Sequence, residues 1–181
     1  MIVLQLLGPT GVGKSHWGKW LVTDVNQGSQ ASPVVFYDVD HLISTPLHSA
    51  EALFLHAGPR YFWERSLQAL QGLHESSERC VVATGAGTQW AACHFDEHER
   101  LLGFPSCSLW CEPTVLLRDL KLRRGDQRSL EALKLTEYSV ERTQLYAQTQ
   151  MIDRTSLSEL QLKAALKAMY RLLTKDQRLS Q

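Results

Sequence analysis

Gly8-Pro9-Thr10-Gly11-Val12-Gly13-Lys14-Ser15 is the stretch on which the reading of this 181-residue chain turns. It matches G-x-x-x-x-G-K-[ST] at every fixed position. The apolar run Ile2 to Leu7 precedes it and reads as a buried strand, and Ser15 to Val25 follows with helical spacing. In that setting the glycines let the loop wrap a phosphate, so that backbone N–H groups over Gly11, Val12, Gly13, Lys14, Ser15 and His16 point at the anion together with the positive end of the helix. Lys14 is expected to reach the β- and γ-phosphates of ATP, and Ser15 to ligate Mg2+. The bland alternative, a glycine-rich turn between strand and helix, does not need the Lys-Ser pair.

Working outward, apolar strand-like runs recur at Pro33 to Tyr37, Cys80 to Thr84 and Ser106 to Cys111, with a weaker fifth around Met151-Ile152. Helical patterns lie between them. Arg60 to Leu73 carries an apolar stripe of Phe62, Leu67, Leu70 and Leu73; Pro113 opens a helix through Leu122; Leu157 to Leu173 is a long amphipathic segment. Alternation of this kind implies parallel strands joined by crossovers, with helices on both faces. The fold class expected is three-layer α/β, in one domain over residues 1–181. Asn26 to Ser32 reads as a polar loop, Arg123 to Arg128 as an irregular charged stretch where a mobile segment could sit, and Lys175 to Gln181 as a frayed tail.

Composition narrows the function. Lys plus Arg equals Asp plus Glu at 19 each, so no basic field exists to gather nucleic acid. No run approaches the ~20 apolar residues that span a bilayer. Cys80, Cys93, Cys107 and Cys111 show no CxxC spacing, which fits a reducing, cytoplasmic setting. The partner expected is a small molecule, with the protein a monomer or weak homo-oligomer.

Tyr37-Asp38-Val39-Asp40 ends the second strand, at the edge where ligands of open α/β sheets collect. Acids at i and i+2 can leave a strand end on one side, one facing the metal and the other a substrate hydroxyl. Asp40 could instead cap a short helix at His41-Leu42-Ile43.

Taken in order, these motifs resemble the shikimate kinase family. Asp38-Val39-Asp40 looks like its Asp-x-Asp, Val81-Val82-Ala83-Thr84-Gly85-Ala86-Gly87 like its strand ending in a glycine-rich turn, Arg128-Ser129-Leu130 like its lid Arg-Pro-Leu, and Arg142-Thr143-Gln144-Leu145-Tyr146 like its Arg-x-x-x-Tyr. The resemblance implies a P-loop fold on a five-stranded parallel sheet, acceptor-binding helices over about 41–78 and a lid over about 123–132. It implies that Asp38 acts at the magnesium site, that Asp40 binds and orients the acceptor hydroxyl, and that Gly85, Ala86 and Gly87 line the acceptor. Arg142 would pair with an acceptor carboxylate, and Arg128 would come over the phosphates. Phosphoryl transfer asks for the same parts, being catalysed mostly by positioning and by cations that neutralise developing charge.

The chain also departs from the family. In Gly58-Pro59-Arg60-Tyr61-Phe62-Trp63-Glu64-Arg65-Ser66, Trp63 stands where the family pattern has a carboxylate-binding arginine, and Ser66 stands where it has glutamate. An indole with one N–H cannot reproduce an arginine fork. Either Arg60 or Arg65 supplies the charge, or the acceptor is less anionic or more aromatic. Which of Arg118, Arg123 and Arg124 meets adenine is left open, because the lid stretch is longer than the family's. His94 and His98, at i and i+4, read as a solvated helix face rather than a zinc site, and Trp17, Trp20, Trp90 and Trp110 as packing residues. The function expected is a kinase for a hydroxyl on a small polar metabolite, with shikimate first. The alternatives are a kinase for another polyol, sugar acid or nucleoside, or a nucleotide-binding regulatory module without catalysis.

Overall fold

A computed structural model describes residues 1–28, 32–46 and 48–179, with the backbone alone at Arg124 and over 176–179. Residues 29–31 of the polar loop, Leu47 within the 41–78 stretch, the last two residues of the tail and the Arg124 side chain lie outside the described residues. Five strands, β1 (Ile2–Leu7), β2 (Val34–Asp38), β3 (Arg79–Ala83), β4 (Ser106–Trp110) and β5 (Gln150–Asp153), form one sheet. All pairings are parallel, in the order β2-β3-β1-β4-β5. The strands expected from the apolar runs are all present, within a residue or two at each end.

Both faces of the sheet are covered, which is why the strands read as nearly unbroken apolar runs rather than alternating ones. On one face Leu4, Leu6, Val81, Cys107 and Leu109 pack against α1 (Lys14–Gln27), α7 (Pro113–Arg124) and α10 (Glu159–Leu179) through Leu21, Leu116, Leu120, Leu166 and Tyr170. On the other, Ile2, Leu7, Cys80 and Val82 meet α2 (Val39–Ile43), α4 (Pro59–Glu75), α5 (Ala86–His94), α6 (His98–Leu102) and α9 (Val140–Ala147). The polar exception in β1, Gln5, is buried and satisfied: its amide donates to the Thr84 hydroxyl at 2.7 Å and its carbonyl accepts from Ser106 at 2.9 Å. Cys80, Cys107 and Cys111 are buried and unbridged, and burial pushes the Cys107 thiol up to about 12.

Several helices go beyond the sequence reading. Besides α5 and α6, three short ones, α3 (Ala50–Ala57), α8 (Leu130–Glu137) and α9, lack the length for a clear periodic signal. Each is nevertheless announced by a serine cap: Ser49, Ser129 and Ser139 accept from the N–H groups of Ala52, Ala132 and Arg142. Each serine is followed two residues later by glutamate, a charge favoured in a first helical turn. The tail expected to fray continues as helix to Leu179. His94 and His98 do not share a helix, because α5 ends at His94, Asp96 takes a left-handed turn (φ 55°), and α6 begins at His98.

Candidate active site

The phosphate loop joins β1 to α1. At Gly8 (φ 132°) a Cβ would lie 2.3 Å from the Leu109 carbonyl oxygen, so only glycine lets the loop pass this close to β4. Gly13 caps α1 in the left-handed conformation, no side chain caps the helix, and its first turn has no acid. Its N-terminal amides therefore remain available to an anion. Lys14 folds back over the loop, its Nζ donating to Gly8 O at 2.7 Å and Pro9 O at 3.0 Å. Burial draws its pKa down to about 8, against the opposing pull of Glu137, Asp40 and Asp38. Gly11, Gly13, Lys14, Ser15 and His16 border a small depression of about 170 Å³ with Arg123. Val12 is buried behind the loop.

Asp38 and Asp40 divide their tasks differently from the capping alternative. Asp38 is the cap of α2, its Oδ1 accepting from Asp40 N at 3.1 Å, while its Oδ2 accepts from the Ser15 hydroxyl at 2.6 Å. Asp40 thus keeps its carboxylate for the cavity. Burial, and then the neighbouring Asp38, raise its pKa above the usual range, and its Oδ1 has no hydrogen-bond partner among the described residues. The carboxylate lies directly against Gly85: a Cβ there would sit 1.9 Å from Asp40 Oδ1.

A cavity of about 1080 Å³ opens beside this pair. Thr10 of the phosphate loop, Asp40, Ala86, Gly87, Arg128 and Arg142 all line it, so residues scattered over 130 positions of sequence converge. Arg142 is not an open guanidinium, however. It is 4% exposed, with one terminal nitrogen donating to Glu137 Oε2 at 2.8 Å and the other to Ala86 O at 2.7 Å. Arg128 is held by Asp126 at 2.7 Å and reaches Glu137 at 3.5 Å.

Trp63, which stands where the family pattern has a carboxylate-binding arginine and so is a sequence candidate for the acceptor pocket, does not line the cavity. It lies on the face of α4 that carries Phe62, Ser66, Leu67 and Leu70 into the core, it is 0% exposed, and its indole N–H donates to Glu97 Oε2 at 2.9 Å. Hydrogen bonds from Trp63, Arg60 and Arg100 hold the Glu97 carboxyl down at about 2. Arg60 is spent on Glu64 and Glu97, and Arg65 lies exposed beside Gln68, so neither supplies the missing charge to the cavity. Trp63→Arg is therefore expected to lower the melting temperature without improving use of shikimate, and Trp63→Phe to cost about 2 kcal/mol in chemical denaturation through the lost bond to a charged acceptor. Better use of shikimate by Trp63→Arg at unchanged stability would return the position to the acceptor site.

Three side chains outside the motifs hold the site together. Gln89 is buried and clamps the loop, accepting from Gly8 N at 3.1 Å and donating to Gly8 O at 3.2 Å and Thr84 O at 2.7 Å. Arg154, at the end of β5, donates to Val12 O at 2.8 Å while paired with Asp119 at 2.6 Å. Glu137 accepts from Thr10 N at 3.0 Å as well as from Arg142. Nothing local marks Gln89 or Arg154, although a Glu at the end of a capped helix five residues before Arg142 was a readable signal for the third.

The shikimate kinase family model matches residues 10–172. No curated protein matches the chain in sequence. Among solved structures, a shikimate kinase from Bacteroides thetaiotaomicron is similar at a TM-score of 0.69 and 21% identity, covering 94% of this chain and 97% of that one. A gluconokinase from Sinorhizobium meliloti 1021 is similar at 0.66 and 17%, covering 98% and 95%. A shikimate kinase from Acinetobacter baumannii in complex with shikimate is similar at 0.61 and 20%, covering 97% and 90%. At these identities the structural likeness speaks for the fold, the three-layer P-loop architecture. Because the family match spans most of the chain and the fold agrees with it, the chain belongs to the shikimate kinase family of small-molecule phosphotransferases.

Proposed function

We propose that this protein transfers the γ-phosphate of ATP to a hydroxyl of a small polar metabolite, with Mg2+ as cofactor. The observation that carries the reading is Asp40, which lines a cavity that Thr10 of the phosphate loop also borders and whose Oδ1 is buried with no hydrogen-bond partner among the described residues. A carboxylate with a raised pKa is a better proton acceptor, and this one is placed to orient an acceptor hydroxyl and take its proton as the new P–O bond forms. Lys14 exchanges the carbonyls of Gly8 and Pro9 for phosphate oxygens, and the uncapped amides of α1 complete the cradle. The adjacent Ser15 hydroxyl and Asp38 carboxylate are hard oxygen donors that suit Mg2+, directly or through water. The ion there would offset phosphate charge. Arg123 borders the depression beside the loop, and among the described side chains it is the arginine taken to meet adenine. The segment 123–132 acts as the lid carrying Arg128, and the helices within 41–78 receive the acceptor.

Two expected results follow from this geometry. Since burial draws Lys14 to about 8 in the free protein, ATP affinity measured by titration should be flat below that pH and weaken above it, as the lysine loses its proton. Affinity that rises with pH through this range refutes the role. In Gly85→Ala the added methyl displaces the Asp40 carboxylate, and kcat should fall by about a hundredfold with ATP affinity kept. The overall reading is tested by coupled ADP release with shikimate, quinate, gluconate and nucleosides, using Asp40→Asn as the control. No acceptor-dependent release from any compound would leave a nucleotide-binding module instead.

A further inference from the structure

We infer that the acceptor carries no acidic group: Glu137 supplies from within the chain the carboxylate that Arg142 would otherwise take from a substrate, and the cavity suits an uncharged hydroxyl compound with a flat ring, of the nucleoside kind. This rests on the kinase reading above and names the substrate class of the same site. Arg142 borders the cavity but is 4% exposed, with one terminal nitrogen on Glu137 and the other on Ala86 O, so its charge is already matched by a carboxylate of the chain before any ligand arrives. Burial works against the charge of Glu137, yet Arg142, the Thr10 N–H and Lys14 outweigh it and keep the carboxyl below its usual range. An acceptor carboxylate would have to expel a buried, ionised side chain that also holds the phosphate loop, and breaking such a pair leaves an uncompensated charge.

The rest of the lining agrees. Asp40, Glu51, Glu137 and Glu141 face the cavity against Arg128 and Arg142, and Arg128 is itself tied to Asp126. Another anion would enter a field already negative. No other arginine or lysine borders the cavity among the described residues. The lining also includes an apolar, largely aromatic set: Phe54, Leu55, Phe62, Trp90 and Leu135. Phe54 meets Phe62 and Trp90 edge to face, each at 5.3 Å, and Trp90 stacks on His94, which sets a rigid wall for a planar ring. At about 1080 Å³ the space is at the upper end for small-molecule sites and accommodates a ring joined to a polyhydroxylated portion.

Titration calorimetry of the full chain, with magnesium and a non-hydrolysable ATP analogue present, tests this. Shikimate and gluconate are compared with uridine and adenosine. The best nucleoside should bind the wild type at least about tenfold more tightly than either acid, the scale of one charged contact. Glu137→Gln should tighten binding of the acids by about tenfold or more without tightening nucleosides, and adding Arg142→Gln should remove that gain. Acids that bind the wild type as well as or better than every nucleoside overturn the inference, and so does Glu137→Gln without a gain for acids. Should that variant fail to fold, the wild-type comparison decides alone. ADP release is followed in parallel: its absence with every compound sinks the kinase reading and leaves the binding order to judge the acceptor class.

Discussion

Lys14→Ala is expected to lower kcat by about two to three orders of magnitude, the usual loss when one electrostatic stabiliser of a transition state is removed. The ammonium lies within the loop on Gly8 O and Pro9 O, and in transfer it would follow the charge developing between β- and γ-phosphates. The same change should not harm the fold. Burial is the largest influence on Lys14 and depresses its pKa, so the charged lysine is a net burden on the native state below about pH 8, and Lys14→Met should hold or raise the melting temperature. Steady-state ADP release and a thermal melt, each on both Lys14→Ala and Lys14→Met, check the two halves. Turnover within a few-fold of wild type would remove Lys14 from the chemistry, and a collapsed melt would make it structural.

Asp40→Asn is expected to lower kcat by about two to four orders of magnitude while ATP affinity stays near that of wild type, because the amide keeps the shape and cannot accept the hydroxyl proton. The pH profile separates this from a merely structural loss. Burial and Asp38 raise the Asp40 pKa, so activity of the wild type should fall as pH drops through a value above the ordinary carboxylate range. The direction follows from the ionised form being the active one. In Asp40→Asn the residual rate should lose that acid limb. An unchanged limb in the variant would assign the titration to another group and take proton transfer away from Asp40.

The parts legible in advance were those whose physics is local. The phosphate loop is a run of consecutive residues whose glycines and Lys-Ser pair speak for themselves, and strands buried on both faces announce themselves as apolar runs. The short capped helices were missed because eight residues give too little periodicity, although their serines were visible. The motif singles out Arg142, but its partner could not be read, since that is a glutamate folded back from the end of α8. Trp63 was misplaced for a related reason. Position 63 was matched to a pattern, whereas the rotation of α4 against the sheet turns its side chain into the core and onto Glu97.

The layered α/β architecture and the phosphate-loop motif were legible in the chain alone, because strand burial, helix period and loop conformation are set by neighbours a few residues apart. Only the tertiary structure decided which groups meet across long separations. Gly85 makes room for the Asp40 carboxylate, Gln89 clamps Gly8, and Glu137 closes Arg142 against the phosphate loop. These contacts depend on how α5, α8 and α9 dock on the sheet. Since a charged group takes its partner from space rather than from the chain, the family motif could mark Arg142 without revealing that Glu137 is already its partner.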